Sequence, residues 1–220
     1  MLEKLIEIDT NLLVYLNAFN ATFWDYFFWL TTDITIWIPL YVTILYTIFK
    51  SHGSKGIWTV LALILVITLC DQISSAILKP LFERPRPSRE PALEGLLHHF
   101  NNYRGGKFGF VSSHAANSLG LAIFSSLLFK NRWYSLFIMS WALVNSYSRI
   151  YLGVHYPGDV LAGAALGLLL GWLVFLLFQR FAKRMLGNLL HKDKVFNCKL
   201  PIYTGLLSIM IILLASKALL

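Results

Sequence analysis

Six apolar segments, each close to the length that crosses a lipid bilayer, account for most of this chain. They cover approximately residues 33–50, 57–79, 113–130, 133–151, 158–181 and 200–220. A helix needs about 20 apolar residues to span the hydrocarbon core, and an open chain in lipid satisfies its backbone polar groups only as a helix. Hydrophobic residues fill 57% of the 220 positions, more than a soluble domain of this size can bury. The sequence therefore predicts an all-α, polytopic transmembrane helical bundle of about six spans.

The first 32 residues differ from the rest, because acidic side chains interrupt the apolar ones. An aromatic cluster extends from Phe23 to Trp29. Aromatic side chains favour the boundary between lipid and water, which predicts one or two interfacial helices here. A single spanning helix over residues 12–31 is the alternative.

These patterns divide the chain into three parts. We predict an N-terminal interfacial segment at 1–32 and a membrane core at 33–182, with an external loop at 80–112. Residues 183–220 form a basic cytoplasmic connection and a final transmembrane helix.

Basic residues are concentrated in the connections after the first, third and fifth spans. They are Lys50, His52, Lys55, Lys130, Arg132, Arg180, Lys183, Arg184, Lys192, Lys194 and Lys199. The positive-inside rule places such connections in the cytoplasm, so loop 80–112 and segment 148–159 share the opposite face. We predict a multi-pass protein of the inner membrane with that face towards the periplasm or exterior. The same rule explains the net charge of +8, and no nucleic-acid partner is expected.

Three polar clusters fall on the predicted outer face. Lys79, Arg86 and Arg149 supply three cations, enough to neutralise a phosphate dianion and the charge that develops during its transfer. Ser112 and Ser113 stand where the third span begins, and the unpaired N–H groups of a helix start favour an anion.

Two histidines complete these clusters. Pro157 suits the first position of the fifth span, and Asp159 then lies in its first turn, four residues after His155. A carboxylate there can accept a hydrogen bond from one imidazole nitrogen and leave the other nucleophilic. His114, in the first turn of the third span, is placed to donate a proton to a leaving oxygen.

The three clusters resemble the signature of the phosphatidic acid phosphatase type 2 superfamily. Lys79 with Arg86-Pro87 matches the family's Lys-x6-Arg-Pro motif. Ser148, Arg149, His155 and Asp159 match Ser-Arg-x5-His-x3-Asp in full. The family's Pro-Ser-Gly-His is Val111-Ser112-Ser113-His114 here, so the serine and the histidine are kept. The resemblance covers approximately residues 57–182.

The resemblance implies a metal-independent reaction through a phosphohistidine on His155, with His114 as acid and later as base. No metal or other cofactor is expected. The implied catalytic residues are His155, His114 and Asp159, and the implied phosphate-binding residues are Lys79, Arg86, Ser112, Ser113 and Arg149.

The predicted function is a lipid phosphatase that acts on a monoester or diphosphate in the outer leaflet. Undecaprenyl diphosphate is the first choice, because a second group of cations follows the first and suits a substrate with two phosphates. That group is Arg84, Arg89, Arg104 and Lys107. A solvated loop that meets anionic lipid head groups is the alternative interpretation of these four cations. Lipid A, phosphatidylglycerophosphate and phosphatidic acid are alternative substrates. A lipid-to-lipid phosphotransferase and a lipid-binding or transport protein are alternative functions.

Two helix faces carry further predictions. Gly163, Gly167 and Gly171 recur every four residues and favour close packing inside the bundle, or else a dimer contact; the oligomeric state is left open. Asp71 and Ser75 share one helix face with Lys79, which predicts a hydrogen-bonded face turned into the bundle, with an ion path as the alternative.

The remaining histidines are expected to be structural or to anchor the protein at the membrane interface. The histidines are His98, His99 and His191. Cys70 lies within an apolar segment and Cys198 in a basic connection, so no disulfide between them is expected.

Overall fold

A computed structural model of the protein describes residues 2–185 and 196–220, and the regular secondary structure of these residues is helical. The α-helices are α1 (Leu2–Asn17), α2 (Thr22–Thr31), α3 (Ile38–His52), α4 (Gly56–Asp71), α5 (Lys79–Phe82), α6 (Ser113–Phe129), α7 (Arg132–Tyr151), α8 (Pro157–Met185) and α9 (Lys199–Ala218). A π-helical segment, Gln72–Leu78, joins α4 to α5. Short 3-10 helices occupy Ile34–Trp37, Gly53–Lys55, Pro87–Arg89, Pro91–Leu93 and Phe100–Asn102. The prediction of an all-α fold is confirmed for this part of the chain.

Among the residues that the structure describes, three helical stretches are long and apolar enough to cross a membrane. They are Ile34–Phe82, Pro157–Met185 and Lys199–Ala218. The first is 49 residues long and contains both α3 and α4. It reverses at Gly53, whose φ of +58° is a conformation that favours glycine. Helix α6 is apolar but shorter, so the number of six spans stays a prediction.

Helices α3 and α4 lie side by side, since side chains from both line one apolar groove. The groove has a volume of about 350 Å³, and Ile44, Leu63 and Leu121 contribute to its walls.

Helix α8 packs directly on α6 through its glycines. A side chain at Gly163 would overlap the Ser112 carbonyl, and one at Gly167 would overlap the Ala116 carbonyl. A Cβ at Gly171 would lie 2.6 Å from the Gly120 carbonyl oxygen. This confirms the interpretation that the glycines serve packing inside the bundle.

Described residues from each of the three basic connections, or directly beside them, meet at one end of the bundle. The Phe196 amide donates to the Phe129 carbonyl at 3.2 Å, and the Asn131 side chain donates to the Phe196 carbonyl at 3.2 Å. The ring of Phe196 lies 5.1 Å from that of His52. At the opposite end, the Ser112 amide donates to the Asp159 carbonyl at 2.9 Å and joins the start of α6 to the start of α8.

The N-terminal segment forms two helices that break between Asn17 and Thr22, so a single helix over 12–31 is wrong. Hydrogen bonds from the Asn17 side chain to distant parts of the chain stabilise this break. The Asn17 amide group donates to the Tyr151 carbonyl at 2.7 Å and accepts from the His98 amide at 2.7 Å. These contacts attach the segment to the end of the bundle where α7 finishes.

The histidines of loop 80–112 have structural contacts, as predicted. His98 Nε2 lies 2.8 Å from Asp25 Oδ1, and His99 Nδ1 lies 3.4 Å from the Leu152 carbonyl oxygen. Cys70 and Cys198 are both free and buried. The prediction for His191 falls outside the described residues.

Candidate active site

His155 and Asp159 form a buried pair at the start of α8. Nδ1 of His155 lies 3.3 Å from Oδ2 of Asp159, and the two residues are 1% and 0% exposed. Pro157 begins the helix, as predicted, and places Asp159 in its first turn. The same carboxylate oxygen accepts a hydrogen bond from the Tyr156 amide at 3.1 Å. Backbone and side chain together therefore fix the carboxylate against the imidazole.

The surroundings of His155 favour its neutral form. Burial lowers the pKa of His155 well below its ordinary value, and the positive charges of Arg86, Arg149 and Lys79 act in the same direction. A neutral imidazole is the nucleophilic form of histidine. The site therefore keeps this imidazole in its neutral form at neutral pH.

Arg149 has a buried guanidinium group that the protein does not fully satisfy. The residue is 2% exposed, and Nη2 donates to the Tyr103 hydroxyl at 3.0 Å. Its Nε is buried and has no hydrogen-bond partner among the described residues. A buried cationic donor without a partner is costly, so an anionic ligand would stabilise it.

Arg86 is fixed by carbonyl groups of the loop around it. Nε donates to the Phe108 carbonyl at 3.1 Å, and Nη1 donates to the Val154 carbonyl at 3.3 Å. Gly105, with a φ of +65°, lies so close that a Cβ there would be 2.8 Å from Nη1 of Arg86. The loop backbone thus presents the guanidinium group to the site.

Lys79 reaches the site from the end of the π-helical segment. Its Nζ donates to Ser113 Oγ at 3.2 Å and to Ser75 Oγ at 3.3 Å. The Ser75 hydroxyl in turn lies 3.4 Å from Asp71 Oδ1. The prediction that Asp71, Ser75 and Lys79 share one hydrogen-bonded face is confirmed.

The start of α6 differs in one respect from the prediction. Ser112 caps the helix, with Oγ accepting from the Ala115 amide at 3.5 Å, and its own N–H is bonded to the Asp159 carbonyl. The expectation that the Ser112 N–H is unpaired was wrong, because α8 packs close enough to use it. The N–H groups of Ser113 and His114 lie in the first turn, where a helix provides no internal acceptor.

His114 and His155 occupy different environments. The side chain of His114 is exposed, whereas that of His155 is buried. His114 nevertheless lies close enough to His155, Arg149, Arg86 and Lys79 for their charges to act on its imidazole. The structure thus brings the predicted site residues together, and the two histidines have different access to a ligand.

Arg84 has a role that the sequence did not reveal. It was expected in the second group of cations, but its Nη1 lies 2.8 Å from Asp159 Oδ1 and its Nη2 lies 2.7 Å from Asp9 Oδ2. Two carboxylates therefore neutralise it. The sequence also did not predict that Asp9 and Tyr103 contact site residues. The one available signal for Asp9 is that an acidic side chain interrupts an apolar helix.

Two other members of that group bond within the loop. Arg104 Nη1 donates to the Ser88 carbonyl at 3.1 Å, and Arg89 Nη2 donates to the Gly105 carbonyl at 3.2 Å.

Ser148, although it belongs to the third motif, is buried and donates to the Asn145 carbonyl at 2.6 Å within α7. Its hydroxyl therefore has a structural role.

Known proteins resemble this chain in sequence and in fold. A lipid A 4'-phosphatase of Bacteroides thetaiotaomicron is 44% identical over 95% of both chains. A lipid A 4'-phosphatase of Porphyromonas gingivalis is 36% identical over 84% of this chain and 79% of the relative. An undecaprenyl-diphosphatase of Sulfolobus acidocaldarius is 31% identical over 66% of this chain and 63% of the relative.

Two crystal structures share the fold at 24% identity. A transmembrane phosphatidylglycerolphosphate phosphatase from Bacillus subtilis has a TM-score of 0.61 and covers 83% of this chain and 88% of its own. LpxE from Aquifex aeolicus has a TM-score of 0.56 and covers 75% of this chain and 93% of its own. The family model of the PAP2 superfamily matches residues 57–183, the region that holds all three motifs. The chain therefore belongs to the PAP2 superfamily and is a membrane phosphatase of lipid phosphate esters.

Proposed function

We propose that this protein hydrolyses the 4'-phosphate monoester of lipid A. The two lipid A 4'-phosphatases resemble this chain at higher identity, and over more of its length, than the undecaprenyl-diphosphatase does. From the sequence alone, undecaprenyl diphosphate is the first choice of substrate and lipid A is an alternative. The comparisons support the alternative better.

The charges around His155 suit a single phosphate. Arg84, one of the second group of cations, is paired with Asp9 and Asp159 and therefore does not count towards a second phosphate. Lys79 and Arg86, with Arg149, remain around His155. Three cations suit a single phosphate dianion and the charge that it gains in the transition state.

The proposed reaction begins at His155, and the observation that carries it is this buried histidine, held by a carboxylate among three cations. With Nδ1 bonded to Asp159, Nε2 attacks phosphorus. The bond to the sugar oxygen breaks, and His114 donates a proton to that oxygen. Water then attacks the phosphohistidine while His114 accepts its proton, and phosphate leaves. His155 is restored to its neutral form.

The proposed phosphate site combines three groups of donors. Arg149 offers the buried Nε that has no partner in the described part of the chain. Arg86 and Lys79 add charge, and the first N–H groups of α6, at Ser113 and His114, point towards an anion. Ser112 contributes as the cap that fixes this turn.

We further propose that the bundle crosses the inner membrane six times, with the site facing the periplasm. In this arrangement α3, the α4–α5 stretch, α6, α7, α8 and α9 are the spans. Residues 1–32 lie at the interface, 33–182 form the core with its external loop 80–112, and 183–220 supply the basic connection and the last span. The basic connections support this, because they meet at the end opposite the site.

Phosphate release from a panel of lipids tests the substrate. Protein purified in detergent is given lipid A, undecaprenyl diphosphate, phosphatidylglycerophosphate and phosphatidic acid, and mass spectrometry identifies which phosphate lipid A has lost. We expect the highest kcat/KM for lipid A, with loss of the 4'-phosphate. His155→Ala is the control, and its rate should fall by roughly 1,000-fold or more.

Three outcomes contradict the proposal. A higher kcat/KM for another lipid of the panel would reassign the substrate. Transfer of labelled phosphate to a lipid hydroxyl in preference to water would show a phosphotransferase. Tight binding of one lipid without release from any would show a lipid-binding protein.

A further inference from the structure

A chain of charged side chains connects the N-terminal helix to His155. Asp9, on α1, pairs with Nη2 of Arg84 at 2.7 Å, and Nη1 of Arg84 pairs with Oδ1 of Asp159 at 2.8 Å. The other oxygen of Asp159 faces Nδ1 of His155 at 3.3 Å. Four side chains from three separate parts of the sequence are thus in sequential contact.

Arg84 is held in the orientation that this bridge requires. Its guanidinium carbon lies 3.9 Å from the centre of the Tyr156 ring, and its side chain is 23% exposed. The planar fork of arginine presents separate N–H groups to the two carboxylates in a rigid geometry that the single flexible ammonium of lysine lacks. The stacked ring limits its rotation, so the bridge fixes the plane of the Asp159 carboxylate.

Asp9 makes a second contact, which reaches the same helix as Asp159. Its Oδ1 accepts a hydrogen bond from the Gly158 amide at 2.7 Å. That N–H lies in the first turn of α8, where no internal acceptor exists, so Asp9 caps the helix from another element. A Cβ at residue 158 would lie 2.8 Å from Asp9 Oδ2, and glycine therefore permits the contact.

We propose that Asp9 and Arg84 are positioning residues that set the orientation and the effective charge of Asp159, and through it the reactivity of His155. Helix α1 then belongs to the functional unit, beyond any role at the membrane interface. This inference rests on the proposed function only in taking His155 as the nucleophile.

Removal of either charge should affect His155 in opposite directions. Without Arg84, the carboxylate of Asp159 acts on the imidazole with its full negative charge and favours protonation of His155. Without the charge of Asp9, Arg84 neutralises Asp159 more completely and disfavours protonation. The other groups that act on His155 are unchanged in both variants: Arg86, Arg149, Lys79, His114 and the Gly109 backbone.

The test uses the full-length protein in detergent with variants matched in charge. Asp9→Asn keeps an oxygen for the Gly158 N–H but removes the anion that pairs with Arg84. Arg84→Gln removes the bridge, and Arg84→Lys keeps the charge without the fork. Glu7→Gln, an exposed position on the same helix, is the control for the loss of one acid from α1.

Both Asp9→Asn and Arg84→Gln should lower kcat by up to about 100-fold with little change in KM, since the proposal has both residues act through Asp159 and not through contact with substrate. The acidic limb of kcat/KM against pH should shift to higher pH in Arg84→Gln and to lower pH in Asp9→Asn. The ionisation of the substrate is common to all variants and does not contribute to these differences. The double variant should lose less than the product of the two single losses.

Several results would overturn the inference. Unchanged kcat and an unmoved acidic limb in both variants would do so, as would shifts in the same direction or an equal effect of Glu7→Gln. Thermal melting shows whether each variant is folded. If Asp9→Asn or Arg84→Gln is unfolded, the charge-conserving variant Asp9→Glu or Arg84→Lys replaces it. Each replacement keeps the charge but alters the geometry of the bridge, so it should have a lower kcat than the unmodified protein, and an unchanged kcat would count against the inference.

The proposed function can fail separately. Hydrolysis of a different lipid of the panel would change the substrate but leave this test intact. Unmodified protein that releases phosphate from no lipid would overturn both.

Discussion

Nη2 of Arg149 donates a hydrogen bond to the hydroxyl of Tyr103 at 3.0 Å, so loop 80–112 is attached to an arginine that we propose binds phosphate. The tyrosine ring is itself in edge-to-face contact with Trp29 of α2, at 5.4 Å between ring centres. Loop, N-terminal segment and site therefore form one connected structure. This hydrogen bond orients the guanidinium group before a ligand arrives.

Tyr103→Phe tests that orientation. A hydrogen bond to a charged group is worth about 1.5–3 kcal/mol, and its loss frees the guanidinium group to rotate. We expect KM to rise by about 10-fold while kcat changes little, measured by phosphate release. Tyr15→Phe, at an exposed position on α1, is the control. A fall in kcat at constant KM would show that Tyr103 acts in the chemical step instead.

His114→Ala tests the proposed proton donor. General acid catalysis contributes about 100- to 10,000-fold, so kcat for the lipid should fall within that range. An aryl phosphate such as p-nitrophenyl phosphate has a leaving group that needs no proton. In His114→Ala, kcat for this substrate should therefore fall much less than kcat for the lipid. Equal losses for both substrates would assign His114 to binding.

The pH profile tests the state of His155. The imidazole must be neutral to attack, and its protonated fraction grows as pH falls through its pKa. Because burial and the neighbouring cations lower that pKa below 6.5, activity should persist below pH 6.5. The acidic limb of kcat/KM, which reports the free enzyme, should therefore lie below that value. An acidic limb of kcat/KM with its midpoint above pH 6.5, found with more than one substrate, would contradict the assignment of this limb to His155.

Removal of metal ions should leave activity intact. In the proposed site, arginine and lysine side chains meet the phosphate charge, and no three side chains of His, Cys, Asp or Glu come together as metal ligands within 2–185 and 196–220. We expect kcat/KM to be unchanged after dialysis against EDTA. Loss of activity that added Mg²⁺ or Zn²⁺ restores would refute the metal-independent mechanism.

Gly167→Ala should destabilise the bundle. The added methyl group would overlap the Ala116 carbonyl on α6, and overpacking of this kind costs about 1–3 kcal/mol. We expect a lower Tm in detergent. Gly106→Ala is the matched control, since nothing lies within 4 Å of a Cβ at that position. Equal Tm values for the two variants would contradict the close contact of α8 with α6.

Helix positions followed from the sequence with small errors, because the apolar segments and Pro157 define local structure. The fifth span was expected at 158–181, whereas α8 extends from Pro157 to Met185. The difference lies in its last turn, where Lys183 and Arg184 continue the helix. Cations are favourable at a helix C-terminus, so their charge does not end it.

Local spacing also predicted the pair of His155 and Asp159, since the carboxylate lies only four residues beyond the imidazole. The same logic failed for Ser112, whose N–H bonds to Asp159 across a helix contact. Local rules state where a helix has unpaired donors. They do not state which neighbouring element will use them.

The sequence by itself determined the helices, the three motifs and the groups of which each motif is made. Only the tertiary structure decided the partners of Arg84, which lie 75 residues away in each direction along the chain, at Asp9 and Asp159. The physical reason is range. Helical periodicity acts over three or four residues, whereas an ion pair forms wherever packing brings two charges within about 4 Å. The packing of α1 against the start of α8 therefore changed Arg84 from an expected ligand for a second phosphate into a bridge between two carboxylates.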